Sequence, residues 1–223
     1  MTKPLIRRYA NLPGSPPSVT SILGAIWPKP ALQQWFVTTT AELAREYPDC
    51  PVADLLKLHG PRGDVRGTSV HKLIAAWLNG LTDAPAVTDE TEAMFLQWLR
   101  WWEPQGITGA QPEVVLRSDE MRDGLDYAGT ADAIVPGSMI WDWKTASTIP
   151  SEPYSEHVAQ VAAYAACMSW PSTIEAHVVY IGLKAVKPFR IKPSDLIAKY
   201  DAFCYAYRLA EHLYPDEMRA VPA

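Results

Sequence analysis

Apolar residues in the first half of the chain recur at helical spacing, whereas in the second half short apolar runs alternate or continue unbroken. The periodicity itself therefore divides the molecule into a helical part and a mixed part. A proline-rich start (Pro13, Pro16, Pro17) resists helix. It leads into SVTSILGAI, a short helix that Ser18 or Thr20 is expected to cap and that ends before Pro28. The stretch from Pro30 to Tyr47, stopped at Pro48, reads as a second helix, and the stretch from Gly63 to Gly80 as a third. TDETEAMFLQWLRWW, with acids in its first turn and Pro104 behind it, is a fourth. The character then changes. PEVVLR (112–117), LDYAGTADAIV (125–135) and SMIWDWK (138–144) read as strands, the last two joined by the turn signal Pro136-Gly137. SEHVAQVAAYAACM is helical, TIEAHVVYIGL a buried strand, PFRI a short strand, and PSDLIAKYDAFCYAYRLAEHLY a long closing helix begun by a Ser or Asp cap. This order predicts an α/β fold with a mixed central sheet flanked by helices. An N-terminal helical region over residues 1–105, including the His71 helix, joins an α/β core and C-terminal helix over residues 106–223, together one compact domain.

Within the strands, three charges stand where apolar side chains are expected: Asp132, Asp142 and Lys144. Aspartate is depleted in strands, and a buried ion without a partner costs several kcal/mol or titrates to its neutral form. Asp142 and Lys144 are two apart and project from one face, while Asp132 lies on the preceding strand of the tight hairpin, so the three can converge. An internal salt bridge would satisfy Lys144 and one acid and leave the other uncompensated. His71 shares a helical stripe with Ile74, Ala75 and Leu78 and faces inward. An imidazole joined to hard carboxylates suits Mg²⁺ or Mn²⁺. Gln160 and Tyr164, one helical turn apart, share a face of the helix that follows.

Composition narrows the alternatives. Forty-eight percent apolar and twenty percent charged residues are ordinary for a globular chain long enough to bury a core. No apolar run nears the roughly 20 residues of a membrane span, and the start lacks a signal-peptide type segment, so a soluble, cytoplasmic protein with no membrane partner is expected. Cys50, Cys167 and Cys204 form neither a disulfide framework nor a four-cysteine cluster. A net charge of −5 excludes coating of nucleic acid by bulk attraction. Two basic segments remain, Lys57, Arg62, Arg66 and Lys72 in one and Lys184, Lys187, Arg190, Lys192 and Lys199 in the other, which a polyanion could meet or which are simply solvated faces. Met94, Trp98, Trp101 and Trp102 fall on a helical stripe and read as core rather than as base-stacking residues. GPRGDVRG lacks the Gly-Lys-[Ser/Thr] ending of a phosphate loop.

Taken in order, Gly67-x-x-x-His71, GTAD at 129–132, DWK at 142–144 and Gln160-x-x-x-Tyr164 resemble the motif series of the RecB-like branch of the PD-(D/E)xK nuclease superfamily. The likeness covers residues 63–182, and SVTSILGAIWPKPALQQW resembles the N-terminal helical part of phage and bacterial exonucleases of this branch. The resemblance implies a restriction-endonuclease-like core and a metal-dependent DNA exonuclease. It implies a metal held by His71, Asp132, Asp142 and the backbone carbonyl of Trp143, with Lys144 serving the attacking water and Gln160 and Tyr164 supporting the site or the strand. Glu113 resembles an additional acid that the branch places near the site. Some relatives hold an iron–sulfur cluster on four cysteines, and none is expected here. Arg62, Arg66, Lys72, Lys184 and Lys187 are candidates for DNA contact. The implied partners are linear DNA ends and a single-strand annealing or recombination protein, and the implied roles are recombination, repair or phage DNA processing in a bacterial cell or phage-infected host. A nuclease-fold module that grips DNA ends or a protein without cutting, and a metal-dependent endonuclease, stay open as alternatives.

Overall fold

Five strands pair in sequence order into one sheet: β1 (Gln111–Arg117), β2 (Ala128–Val135), β3 (Met139–Thr145), β4 (Glu175–Ile181) and β5 (Val186–Ile191). The structure, a computed structural model, describes residues 4–51, 54–55, 62–81, 88–118 and 124–219, without the side chains of residues 31, 32, 35 and 62–65. Neighbouring strands are antiparallel except β3 and β4. A parallel pair needs a long crossover, which α5 (Ser155–Met168) supplies. The other helices are α1 (Val19–Ile26), α2 (Pro30–Glu46), α3 (Arg62–Leu78), α4 (Asp89–Trp102), α6 (Pro193–Leu213) and the short α7 (Pro215–Met218). The fold is thus the mixed α/β sheet flanked by helices that the sequence pattern predicts. Among the described residues no helix is long and apolar enough to cross a membrane.

Strand alternation, interrupted in β2 between Ala131 and Ala133, sorts the side chains into two layers. On one face, Ala131, Ile134, Ile140, Ala176, Val178 and Tyr180 pack with α1, α5 and α6. On the other, Ala133, Trp141, Trp143, Val179 and Ile181 pack against Val70 and Ile74 of α3 and Met94, Trp98 and Trp102 of α4. The tryptophan stripe of α4 is therefore core. Trp98 stacks on Trp102 at 5.3 Å and meets Trp143 edge-on at 5.8 Å, and Trp102 meets Trp141 at 5.1 Å. Fully buried, Trp98 is the centre of this layer. Trp98→Ala is expected to destabilise the protein by about 3–5 kcal/mol, seen as a lower urea midpoint at unchanged slope.

Two caps differ from expectation. Ser18 stands at the N-cap of α1, but its hydroxyl pairs with Thr20 Oγ1 at 2.9 Å and caps nothing. The closing helix starts from Lys192, whose ammonium offers no acceptor to cap it, and Pro193 in the first turn presets the helical φ. Thr88 does cap α4, accepting from Thr91 N–H. The stretch from 125 to 127 precedes β2 rather than belonging to it.

The chain divides into two compact units, residues 1–27 with 69–223, and residues 28–68. The smaller holds α2 and the start of α3, with Thr39, Leu43 and Leu55 buried. The larger holds the sheet, both of its layers and the charged residues of interest.

Candidate active site

The ladder between β2 and β3 runs through Val135–Met139, Ile134–Ile140 and Ala133–Trp141. Beyond it the strands part, and Asp132 fills the opening. Its Oδ2 accepts the Trp143 N–H at 2.7 Å, standing in for a ladder bond, and its Oδ1 meets His71 Nδ1 at 3.0 Å. Alternation then fixes the next residues. Trp141 and Trp143 anchor β3 in the α4 layer, which turns Asp142 and Lys144 to the α5 side. There the Lys144 ammonium lies 2.8 Å from Asp142 Oδ2 and donates to Asp142 Oδ1 at 3.0 Å and to Gln160 Oε1 at 3.1 Å. Gln160 Nε2 in turn donates to Tyr164 OH at 3.1 Å. The tyrosine ring is buried against Gly129, where any Cβ would overlap it, so the glycine of GTAD is required by the tyrosine of Gln-x-x-x-Tyr.

Glu113 completes a second group. Pro112 pairs with Ala133 and Val114 with Ala131, which sets Glu113 directly opposite Asp132. Ligand atoms of His71, Glu113 and Asp132 all lie within 4.8 Å of one another. Two carboxylates facing each other across an antiparallel pair repel. Glu113 also sits at φ +54°, a left-handed conformation that costs a non-glycine residue about 1–2 kcal/mol. Repulsion and backbone strain at one residue make Glu113 a candidate functional position.

The electrostatics follow from burial and neighbours. Burial opposes ionisation of Asp132, but His71, Lys144 and the Trp143 N–H outweigh it and hold its pKa below the usual carboxylate range. Asp142, only 1% exposed, goes the other way, because burial and the Asp132 charge exceed the pull of Lys144. Burial lowers the pKa of His71, yet its bond to Asp132 leaves the net shift upward. Glu113 is raised by its desolvation and by Asp132, with His71 opposing.

One imidazole and two carboxylates at this spacing form a hard donor set of the kind that takes Mg²⁺ or Mn²⁺. Asp142 lies outside that group, its buried carboxylate paired with the Lys144 ammonium. The structure brings the sequence candidates into two adjacent groups, His71 with Asp132 and Asp142 with Lys144, Gln160 and Tyr164, and adds Glu113 to the first. Of the basic candidates, Lys187 is engaged, donating to the carbonyls of Pro150 and Ser151 at 3.2 and 2.9 Å. Lys72 and Lys184 are exposed and Arg66 is half-buried, while Lys57 and the side chain of Arg62 lie outside the described residues.

Two pairs escaped the sequence reading. Tyr180 is the register partner of Lys144 on β4, and its hydroxyl accepts from Tyr154 N–H and bonds His157 Nδ1 at 2.8 Å. His157 is three residues before Gln160 on α5, a spacing that could have flagged it. Tyr9, from the N-terminal hairpin, bonds Thr130 at 3.0 Å through their hydroxyls. Nothing local in the sequence signals that pairing.

No family model and no curated protein matches the chain. Among solved structures, the crystal structure of a candidate exonuclease from Eubacterium rectale is similar, with a TM-score of 0.53 and 11% identity over 68% of this chain and 68% of that one. At that identity the likeness is one of fold. A structure of SSO0001 aligns over 74% of this chain and 69% of that one at 15% identity, with a TM-score of 0.40 that carries no argument.

Proposed function

We propose that the protein is a metal-dependent deoxyribonuclease, an exonuclease that hydrolyses phosphodiester bonds at the ends of linear DNA in recombination, repair or phage DNA processing. The observation that carries the reading is the junction of the two groups at the parted strands. A hard donor set (His71, Glu113, Asp132, with Asp142) stands beside a lysine whose ammonium is fixed by a carboxylate and an amide. The likeness of fold to the candidate exonuclease supports it.

His71, Glu113, Asp132 and Asp142, with the Trp143 carbonyl, are the groups that would hold Mg²⁺ or Mn²⁺, which supplies Lewis-acid stabilisation of phosphate charge. The chain's own residues do the remainder. An ammonium has three N–H donors, and Asp142 and Gln160 occupy two. Held by these partners, the ammonium is placed to orient the attacking water or to meet charge developing on the phosphoryl oxygens. The ammonium, which can only donate, turns the Gln160 amide oxygen toward itself, and Tyr164 OH accepts from the amide nitrogen and holds it there. Trp143, locked in the tryptophan layer, keeps β3 from drifting and so holds Asp142 and Lys144 in place.

With Mg²⁺ or Mn²⁺ the purified protein is expected to release acid-soluble nucleotides from linear DNA and to leave covalently closed circles intact. No release from either single- or double-stranded linear DNA would overturn the reading. Cutting of closed circles would make the enzyme an endonuclease.

A further inference from the structure

The outer face of β1 is uncovered. Gln111, Glu113 and Val115 are exposed in alternation, while Val114 and Leu116 turn inward to the α1, α5 and α6 layer. Thr130 lies opposite Val115 as Asp132 lies opposite Glu113. The open strip therefore runs from Val115 and Thr130 directly to the carboxylates. At its far end stands Tyr9. The N-terminal hairpin brings it there because Ser18 bridges Ala128 and the Ala128 N–H donates to Pro17 O at 3.0 Å. A strand has two edges, and β1 occupies the other one at Ala128, so the hairpin takes the edge that β3 abandons where the strands part.

Building on the nuclease reading, we propose that this strip is the track for the DNA strand, and that the Tyr9–Thr130 hydroxyl pair donates to the phosphate one nucleotide away from the one at His71, Glu113 and Asp132. Thr130 is two residues from Asp132 on the same face of β2, about 7 Å along the strand. Each hydroxyl carries one proton, and their mutual bond uses only one of the two. The second has no acceptor among the described residues, and both side chains are half-exposed, so it is available to an anionic oxygen. Neutral donors suit the place. A lysine there would pair with Glu113 or Asp132 and compete with a bound cation, whereas a hydroxyl grips phosphate without disturbing the carboxylates. Val115, 44% exposed, offers the sugar an apolar contact on the same face.

The test uses Tyr9→Phe, Thr130→Val and the double variant, each made in the full chain and again in a Lys144→Ala background that keeps the DNA intact. Anisotropy of a labelled single-stranded oligonucleotide with Mn²⁺ is expected to report about tenfold weaker binding for each single variant, the loss of one hydrogen bond to a charged group. The double variant should lose little more, because the two hydroxyls act as one unit. In the Lys144-containing protein KM should rise while kcat at saturating DNA holds, and calorimetry should show unchanged Mn²⁺ affinity. If the variants melt lower but bind and cut DNA as well as their parents, the pair is structural and the proposal falls while the nuclease reading stands. If the parent proteins neither bind nor cut DNA, the nuclease reading falls and takes the track with it.

Discussion

Replacing Lys144 by alanine is expected to lower single-turnover cleavage by about a hundredfold or more, the usual loss when a group serving the nucleophile or the transition-state charge is removed. Binding should survive. The ammonium donates to Asp142 and Gln160 and to none of His71, Glu113 and Asp132, so its removal leaves those three groups in place and takes a partner only from Asp142. Mn²⁺ titration by calorimetry and oligonucleotide binding by anisotropy are therefore expected to change little in the variant. The split between rate and affinity separates a nuclease from a module that only grips DNA. In a module, wild type would release no nucleotides and Lys144→Ala would act through affinity alone. A Lys144→Ala variant that cuts as fast as wild type would remove the lysine from the mechanism.

Asp132→Ala is expected to abolish both Mn²⁺ binding and cleavage, because this one carboxylate joins the two halves of the site. It faces Glu113, meets His71 at 3.0 Å and accepts the Trp143 N–H at 2.7 Å. Alanine also strands that N–H, at a cost of about 1–3 kcal/mol. Asp132→Asn, which keeps an oxygen for the N–H, separates the two effects: it should recover most of the stability and little of the metal binding. Thermal melts provide the readout. A ligand at a hundredfold its Kd stabilises by about 2.7 kcal/mol, so wild type should melt higher with Mn²⁺ and both variants should not respond. Glu113→Gln is expected to show the opposite sign without metal. It removes repulsion across the strand pair, so the metal-free protein should be as stable as wild type or more so, while the response to Mn²⁺ is lost. A wild-type response in Asp132→Ala would dismantle the site as described.

The hydrophobic pattern was enough to place every strand, the crossover helix and the α4 tryptophan stripe, because the periods of helix and strand are set by backbone geometry within a few residues. The same local rule put Asp142 and Lys144 on one face and Gln160 one turn from Tyr164. His71 on an inward stripe was legible for that reason too.

Which partner each of these meets is another matter. That Asp132 bonds the Trp143 N–H depends on where β2 and β3 part, and that Glu113 stands opposite Asp132 depends on register and on one residue at positive φ. Both are settled by packing between segments far apart in the chain. Lys187 illustrates the limit from the other side, since its charge suggested DNA while the fold ties its ammonium to two carbonyls more than thirty residues away. Tyr9 reaches Thr130 across 121 positions, only because an N-terminal hairpin occupies a strand edge left open elsewhere. The sequence by itself determined the elements, their faces and the residue types of the site. Tertiary structure alone decided the strand splay, the register and the hairpin's place, because those arise from competition among long-range contacts that no local period encodes.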